Sequence, residues 1–326
     1  MNHNSVYLMK VIVLANQDWG ITAIEIFRKL DIEILKVFTH PVTMDPNDTV
    51  WYNSVKKKCE EYKISVSERA TLQNEDIERI EEMKPDVLFS INWRRLISKK
   101  LINIPKHGCI NIHPSLLPKY RGISPLNWAV LNGEKETGVT VHYIDESADT
   151  GDIIIQKKIP ILFEDTTADV YQKALNIYPE LLTKTIEMIR NGCVKPINQK
   201  TLEAGFFVSK RFPNDGKIFW NFDRLKIYNL IRGLCDPYPN AFFIYNGETF
   251  HVKEAKLSEI DFRGPPGRVC AINDKEMVVT CGTDHSRNQG LTITKIVLAP
   301  QHTFSFLPEN EINIKEKFTK LWINLQ

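Results

Sequence analysis

What most constrains the fold is an alternation, over the first half of the chain, of short β-branched runs with segments of helical apolar spacing. Lys10–Ala15 is an apolar run of the kind buried in a parallel sheet. Residues 21–30 then carry Ile21, Ile24 and Phe27 on one helical stripe. A second strand is expected over 32–38, helices over 51–63 and 74–84, the latter stopped by Pro85, and further strands over 86–90 and 109–113. This order predicts an α/β domain, a doubly wound Rossmann-like sheet that binds ligands beyond the C-terminal ends of its strands. The first strand-to-helix turn, Asn16-Gln17-Asp18-Trp19-Gly20, has no G-x-G-x-x-G. That argues against a nicotinamide dinucleotide, whose pyrophosphate needs those glycines for close backbone approach.

Strands over 138–144 and 153–159 flank an Asp-rich loop, and a long helix follows with Val170, Ala174, Ile177, Leu181 and Met188 on one stripe and Pro179 expected to kink it. After residue 193 the character changes. A polar connector leads to a helix over 223–234 and then to short strands, with Asn246-Gly247 as a strong hairpin signal. Five short strands and a helix suggest a smaller OB-like β-barrel domain. The expected division is a catalytic domain over 1–203 and the OB-like domain over 204–326.

At 326 residues the chain has room for two such domains. No apolar run approaches the roughly 18–20 residues of a membrane helix. The N-terminus lacks a basic start followed by an apolar stretch and a cleavage site, so a cytoplasmic protein with no membrane partner is expected. With 42 Lys+Arg against 40 Asp+Glu, the charge balance does not demand a nucleic-acid partner. Six cysteines without a CxxC pair point to free thiols, with neither disulfides nor a metal expected.

The chemistry is concentrated in residues 109–122. On a strand, Asn111 and His113 share one face while Ile110 and Ile112 take the other. Pro114 ends the strand, which puts the pair at the C-terminal edge where this architecture binds ligands. By itself a histidine at a strand end is more often structural than catalytic.

The run INIHPSLLPKYRG (110–122), with GVTVH (138–142) and DTGD (149–152), closely resembles the 10-formyltetrahydrofolate-dependent formyltransferases. The resemblance extends through VIVLA (11–15) and KPDV (84–87) to RFPNDG (211–216) and DPYPNA (236–241). The last two look most like sugar N-formyltransferases, including the formyltransferase half of the enzyme that formylates UDP-4-amino-4-deoxy-arabinose. It implies Asn111 as the residue that stabilises the transition state, His113 as the proton carrier and Asp149 as the carboxylate that raises the histidine's pKa. It also implies folate contacts at Arg95, Leu96 and Ile97 and at Asp145, Glu146, Ser147, Ala148 and Asp149. One departure is Ile123, where the arabinose enzyme has an arginine.

This chemistry suits those residue types. A fixed amide can meet the oxygen that gathers charge as an amine attacks a formyl carbon. An imidazole can take the amine's proton and return it to the departing folate nitrogen. Candidate substrate contacts are Gln17, Trp19, Ser115, Lys119, Tyr120 and Arg121; Lys119 to Gly122 reads equally as a phosphate grip or a solvated loop. His107 and His142 read as structural, and the Phe219-Trp220 and Phe242-Phe243 pairs as core.

Three acceptor readings follow. The first is the amino group of a nucleotide-linked sugar, dTDP-4-amino-4,6-dideoxyglucose foremost, with the product feeding a surface polysaccharide such as O-antigen. The second is methionyl-tRNA, and the third an inactive relative that only binds folate or nucleotide-sugar. Intact catalytic residue types weigh against the third. Residues 205–326 carry 16 Lys+Arg against 13 Asp+Glu, a weak basic excess for gripping tRNA. The sugar reading is favoured, and the resemblance also implies a homodimer.

Overall fold

The structure, a computed structural model, describes residues 8–41, 53–298, 312–318 and 323–325. Two residues of the helix expected over 51–63, Trp51 and Tyr52, lie outside the described residues. The chain divides into two compact units, one of residues 1–125, 137–159 and 172–208, the other of 126–136, 160–171 and 209–326.

The first unit is built on a seven-stranded sheet. In chain order its strands are β1 (Lys10–Ala15), β2 (Glu33–Thr39), β3 (Val66–Glu68), β4 (Val87–Ile91), β5 (Cys109–His113), β7 (Glu136–Tyr143) and β8 (Ile153–Pro160); the two-residue β6 (Arg121–Gly122) lies outside it. The spatial order is β3-β2-β1-β4-β5-β7-β8, with parallel pairing from β3 through β5. Val11 to Ala15 and all of β4 are buried, which is what an apolar run in the middle of a parallel sheet requires.

Two features differ from the expectation drawn from the sequence. The sheet is mixed, because β7 runs antiparallel to β5, pairing Asn111 with His142 and His113 with Thr140. Helix α1 also begins at Gln17 rather than Ile21, so the Gln-Asp-Trp-Gly turn is its first turn (Gln17–Lys29). Gly20 makes that early start possible: a Cβ there would sit 2.8 Å from the Ala15 Cβ, so only glycine lets the helix turn back so closely on its strand.

Helix α2 (Val55–Glu61) is N-capped by the Ser54 side chain, and α3 (Asn74–Met83) ends at left-handed Lys84 just before Pro85. The short α4 (Lys99–Ile102) connects β4 to β5, and α5 (Pro125–Leu131) starts with proline at its first position. Helix α6 (Thr167–Arg190) runs past Pro179 and buries Val170, Ala174, Tyr178, Leu181, Leu182 and Ile186.

The second unit carries α7 (Arg224–Gly233) and an antiparallel five-stranded sheet. After the short β9 (Phe207–Val208), which pairs with β6, its strands are β10 (Ala241–Tyr245), β11 (Glu248–Leu257), β12 (Val269–Ile272), β13 (Met277–Thr280) and β14 (Gly290–Leu298), in the order β10-β11-β14-β13-β12. Asn246-Gly247 turns β10 into β11 with positive φ at both residues, as a tight hairpin needs. Trp220, Tyr228, Phe243, Phe250 and Phe318 form the aromatic part of the core. Phe219, expected in that core, is instead 52% exposed, and Phe242 is only half-buried. In the strand pair the alternation of side chains explains this, since Phe242 and Phe243 point to opposite faces.

Candidate active site

Strand β5 ends at the C-terminal edge of the parallel ladder and presents Asn111 and His113 on one face, and the loop between β7 and β8 brings Asp149 to both. Asn111 Nδ2 lies 3.2 Å from Asp149 Oδ1, and His113 Nδ1 lies 3.6 Å from the same oxygen. All three belong to the first unit. Asp149 takes a left-handed conformation (φ 55°), one that asparagine and aspartate tolerate better than most residues. The Gly122 N–H donates to its Oδ2 at 2.9 Å.

The hydrogen bonds fix the ring tautomers. His113 Nε2 is 2.8 Å from the Tyr120 carbonyl, which can only accept, so Nε2 carries hydrogen and Nδ1 is the nitrogen left to take or give a proton. His142 Nδ1 donates to the Tyr143 carbonyl at 2.7 Å, leaving Nε2 to accept from Asn111 Nδ2 at 3.1 Å. Both Nδ2 hydrogens of Asn111 are thereby engaged, one by His142 and one by Asp149.

The electrostatics modify the role expected for Asp149. Burial pushes the His113 imidazole below its ordinary value; Asp149 and the Tyr120 carbonyl pull it back up, and His142 adds to the depression. Asp149 thus opposes a larger desolvation effect rather than leaving the ring raised overall. On Asp149 itself burial acts upward, but His113, His142 and the Gly122 N–H outweigh it and hold the carboxyl well below the usual carboxylate range. The acid is ionised beside a ring whose basic nitrogen faces it.

His142, read as structural from the sequence, belongs to this cluster: its Nε2 is 3.6 Å from Asp149 Oδ1 and its ring meets His113 edge-on at 6.4 Å between centroids. The signal that could have found it is the Thr140/His142 alternation, which faces Asn111 and His113 once β7 is known to run antiparallel to β5. Gln199, in a short 3-10 turn, was also missed; it is buried against the Asp149 and Gly151 carbonyls.

The remaining candidates divide. Arg121 donates to the Asp149 carbonyl and to Gln199, with Phe207 5.4 Å below its guanidinium. Tyr120 supplies its carbonyl to His113 while its ring is buried against Phe206. Lys119 is exposed and 3.7 Å from Glu203. Ser115 is fully buried and donates to the Lys119 carbonyl, so it closes its own loop rather than facing a cleft. Gln17 is buried with positive φ and accepts from Asn92 Nδ2. Trp19 is buried against Tyr178, ring centroids 4.9 Å apart, as a packing residue.

The two stretches that the resemblance assigns to folate lie after β4 and in the loop between β7 and β8. Arg95, Leu96 and Ile97 follow β4, with Leu96 74% exposed and Ile97 packed onto the core. Asp145 receives the Ser147 N–H and the Thr150 hydroxyl, which folds 145–150 into a tight loop that includes Ala148. Lys99, two residues beyond the first stretch, pairs with Glu146 of the second at 2.6 Å.

Residues 9–186 match the formyl transferase family, and 211–303 match the formyl transferase C-terminal domain. The chain belongs to the formyl transferase family. The bifunctional polymyxin resistance protein ArnA of Wigglesworthia glossinidia brevipalpis is 36% identical over 274 residues, which cover 84% of this chain and 41% of that protein. The chain therefore spans about two fifths of that relative's length. The methionyl-tRNA formyltransferase of Alkaliphilus oremlandii (strain OhILAs) is 32% identical over 278 residues, 84% of this chain and 88% of that protein. The N-formyltransferase from Helicobacter canadensis, solved with folinic acid and dTDP-3-aminofucose, shares the fold with TM-score 0.67, 23% identity and coverage of 88% and 99%.

Proposed function

We propose that this formyltransferase moves a formyl group from 10-formyltetrahydrofolate to the amino group of a nucleotide-linked amino sugar. The observation that carries the chemistry is the convergence of Asn111, His113 and Asp149 around one point at the end of β5. The amine attacks the formyl carbon, and the bond from that carbon to the folate nitrogen breaks. His113 Nδ1 takes the proton the amine loses and gives it to the departing nitrogen. Ionised Asp149, 3.6 Å away, stabilises the imidazolium formed between those steps. Asn111 donates to the formyl oxygen as charge gathers there, which requires one Nδ2 hydrogen to leave His142 or Asp149.

The exposed Leu96 supports folate as the donor, and Arg121, Lys119 and Tyr120, whose chain runs past the catalytic carboxylate, are the residues assigned to the acceptor. The sugar reading is supported by the match to ArnA, by the dTDP-sugar bound to the Helicobacter canadensis protein and by the small basic excess over 205–326. Within it, dTDP-4-amino-4,6-dideoxyglucose is the first acceptor to test and the 3-amino isomer the second. A role in O-antigen or a similar polysaccharide, a cytoplasmic location and a homodimer complete the proposal. Among the described residues, no helix is long and apolar enough to cross a membrane. Methionyl-tRNA is the second reading, favoured by the identity that covers 88% of a methionyl-tRNA formyltransferase.

Mass spectrometry of a panel of nucleotide amino sugars incubated with enzyme and 10-formyltetrahydrofolate decides between them. A gain of one formyl unit on a dTDP- or UDP-linked sugar, with charged initiator tRNA unreacted, is expected. Efficient tRNA formylation with every sugar unchanged reverses the assignment.

A further inference from the structure

Gln199 is a fully engaged side chain at this site that no part of the chemistry above uses. Its position follows from the chain path. Ile197 pairs with Ile153 through reciprocal 2.8 Å hydrogen bonds, which docks the segment after α6 beside the first residue of β8. Asn198 then caps the 3-10 turn Gln199–Thr201 with its side chain on the Lys200 N–H. Two residues beyond Ile197, Gln199 therefore falls against the end of the loop that carries Asp149.

Every bonding position of its amide is filled. Nε2 donates to the Asp149 carbonyl at 3.0 Å and to the Gly151 carbonyl at 2.7 Å. Oε1 accepts from Arg121 Nε at 3.2 Å and Nη2 at 2.6 Å, and Arg121 Nε also reaches the Asp149 carbonyl at 3.1 Å. Gln199 is 3% exposed, so these bonds form out of water, where an amide with two donors and two acceptors satisfied has one orientation. The residue it grips is the left-handed Asp149. The next but one, Gly151, leaves no slack, since a Cβ there would lie 1.9 Å from the Tyr143 carbonyl oxygen.

We infer that Gln199 is a positioning residue for formyl transfer: with Arg121 it clamps the backbone of Asp149 so that the carboxylate stays within reach of both Asn111 and His113. The inference rests on the formyl-transfer reading for its kinetic consequence, but its structural consequence does not depend on the acceptor. The charged and titratable groups that face His113 are Asp149 from the β7–β8 loop and His142 from β7, with the Tyr120 carbonyl on its other nitrogen. Of these, Asp149 holds the ring's basicity up, so a loosened Asp149 lets the ring become less basic.

The test follows the His113 ring by NMR across a pH titration in wild type, Gln199→Ala and Gln199→Met. Methionine keeps the length and bulk of the side chain but removes its donors and acceptor without adding charge, so it serves if the alanine protein does not fold. The expected result is a His113 titration midpoint lowered in either folded variant. A second arm compares Gln199→Ala, Asp149→Asn and the double variant for turnover with whichever acceptor wild type uses. Turnover should fall about 10- to 100-fold for Gln199→Ala with KM within about threefold, and the double variant should be no slower than Asp149→Asn alone. An unmoved His113 midpoint in a folded variant, or losses that add in the double variant, overturns the inference. If wild type formylates no sugar, the acceptor assignment fails while the titration still decides the role of Gln199.

Discussion

His142 and Asn111 sit directly opposite one another across the β5–β7 ladder, with the bare Nε2 of His142 3.1 Å from Asn111 Nδ2. The second hydrogen of that amide goes to Asp149. The amide plane of Asn111 is thus set from both sides, by the antiparallel strand β7 and by the loop that follows it. His142→Phe keeps a ring in place but removes the acceptor. The expected cost is about 1–3 kcal/mol of stability for the unpaired donor, with a fall in turnover. Denaturant unfolding and steady-state kinetics of the one variant measure both, and unchanged values in both would leave His142 as packing alone.

The acid side of the pH profile reports His113. The ring acts as a base through Nδ1, so kcat/KM climbs with pH as it deprotonates, and burial places that climb below the ordinary ~6.5. Asp149→Asn removes the upward pull and should move the climb lower still. Stability follows the same sign. A depressed imidazole makes the native state bind fewer protons than the unfolded chain, so stability drops as pH falls from ~6.5 towards the native value. Asp149, also depressed, contributes stability that is present above ~3.9 and lost only as pH falls through its own lower value. Profiles of kcat/KM for wild type and Asp149→Asn check this, and a climb that moves upward in the variant contradicts it.

Gly151→Ala should be among the more damaging single-methyl changes in the protein. Its Cβ would meet the Tyr143 backbone at 1.9 Å, and backbone can yield only by displacing the Asp149 loop. A loss of roughly 1–3 kcal/mol is expected, with activity reduced as the carboxylate moves. Gly192→Ala is the control. It sits at positive φ with nothing within 4 Å, so it should cost only the ~1–2 kcal/mol of the left-handed backbone and leave turnover intact. Unfolding curves for the pair test the contrast.

How much of this was legible depends on the period of each element. Alternation along β5 put Asn111 and His113 on one face without any tertiary information, because a strand's period of two fixes its faces. Asp149 came from the family resemblance, since a loop 36 residues later has no periodicity to read. His142 required knowing that β7 runs against β5, and pairing direction is not written in a strand's own sequence. Gln199 lies in an irregular stretch whose placement depends on the Ile153–Ile197 bridge. Trp19 and Ser115 sit in turns that the sequence offers as substrate contacts, yet Trp19 packs inward against Tyr178 of α6, and Ser115 is spent on closing its loop.

The placement of Trp19 has its own test. If it packs against Tyr178 rather than a substrate, Trp19→Ala should cost about 3–5 kcal/mol of stability, while Trp19→Phe restores most of it with KM near wild type. A large KM increase in a fully stable Trp19→Phe protein would return the residue to the binding site.

The most direct test is the rate of formyl transfer from 10-formyltetrahydrofolate by folded His113→Ala, Asp149→Ala and the double variant. A single catalytic unit predicts a loss of about 10²–10⁴-fold for His113→Ala, a clear loss for Asp149→Ala, and a double variant little slower than the worse single. Turnover of either single variant within about threefold of wild type would contradict the account, because a proton carrier on this path cannot be removed so cheaply.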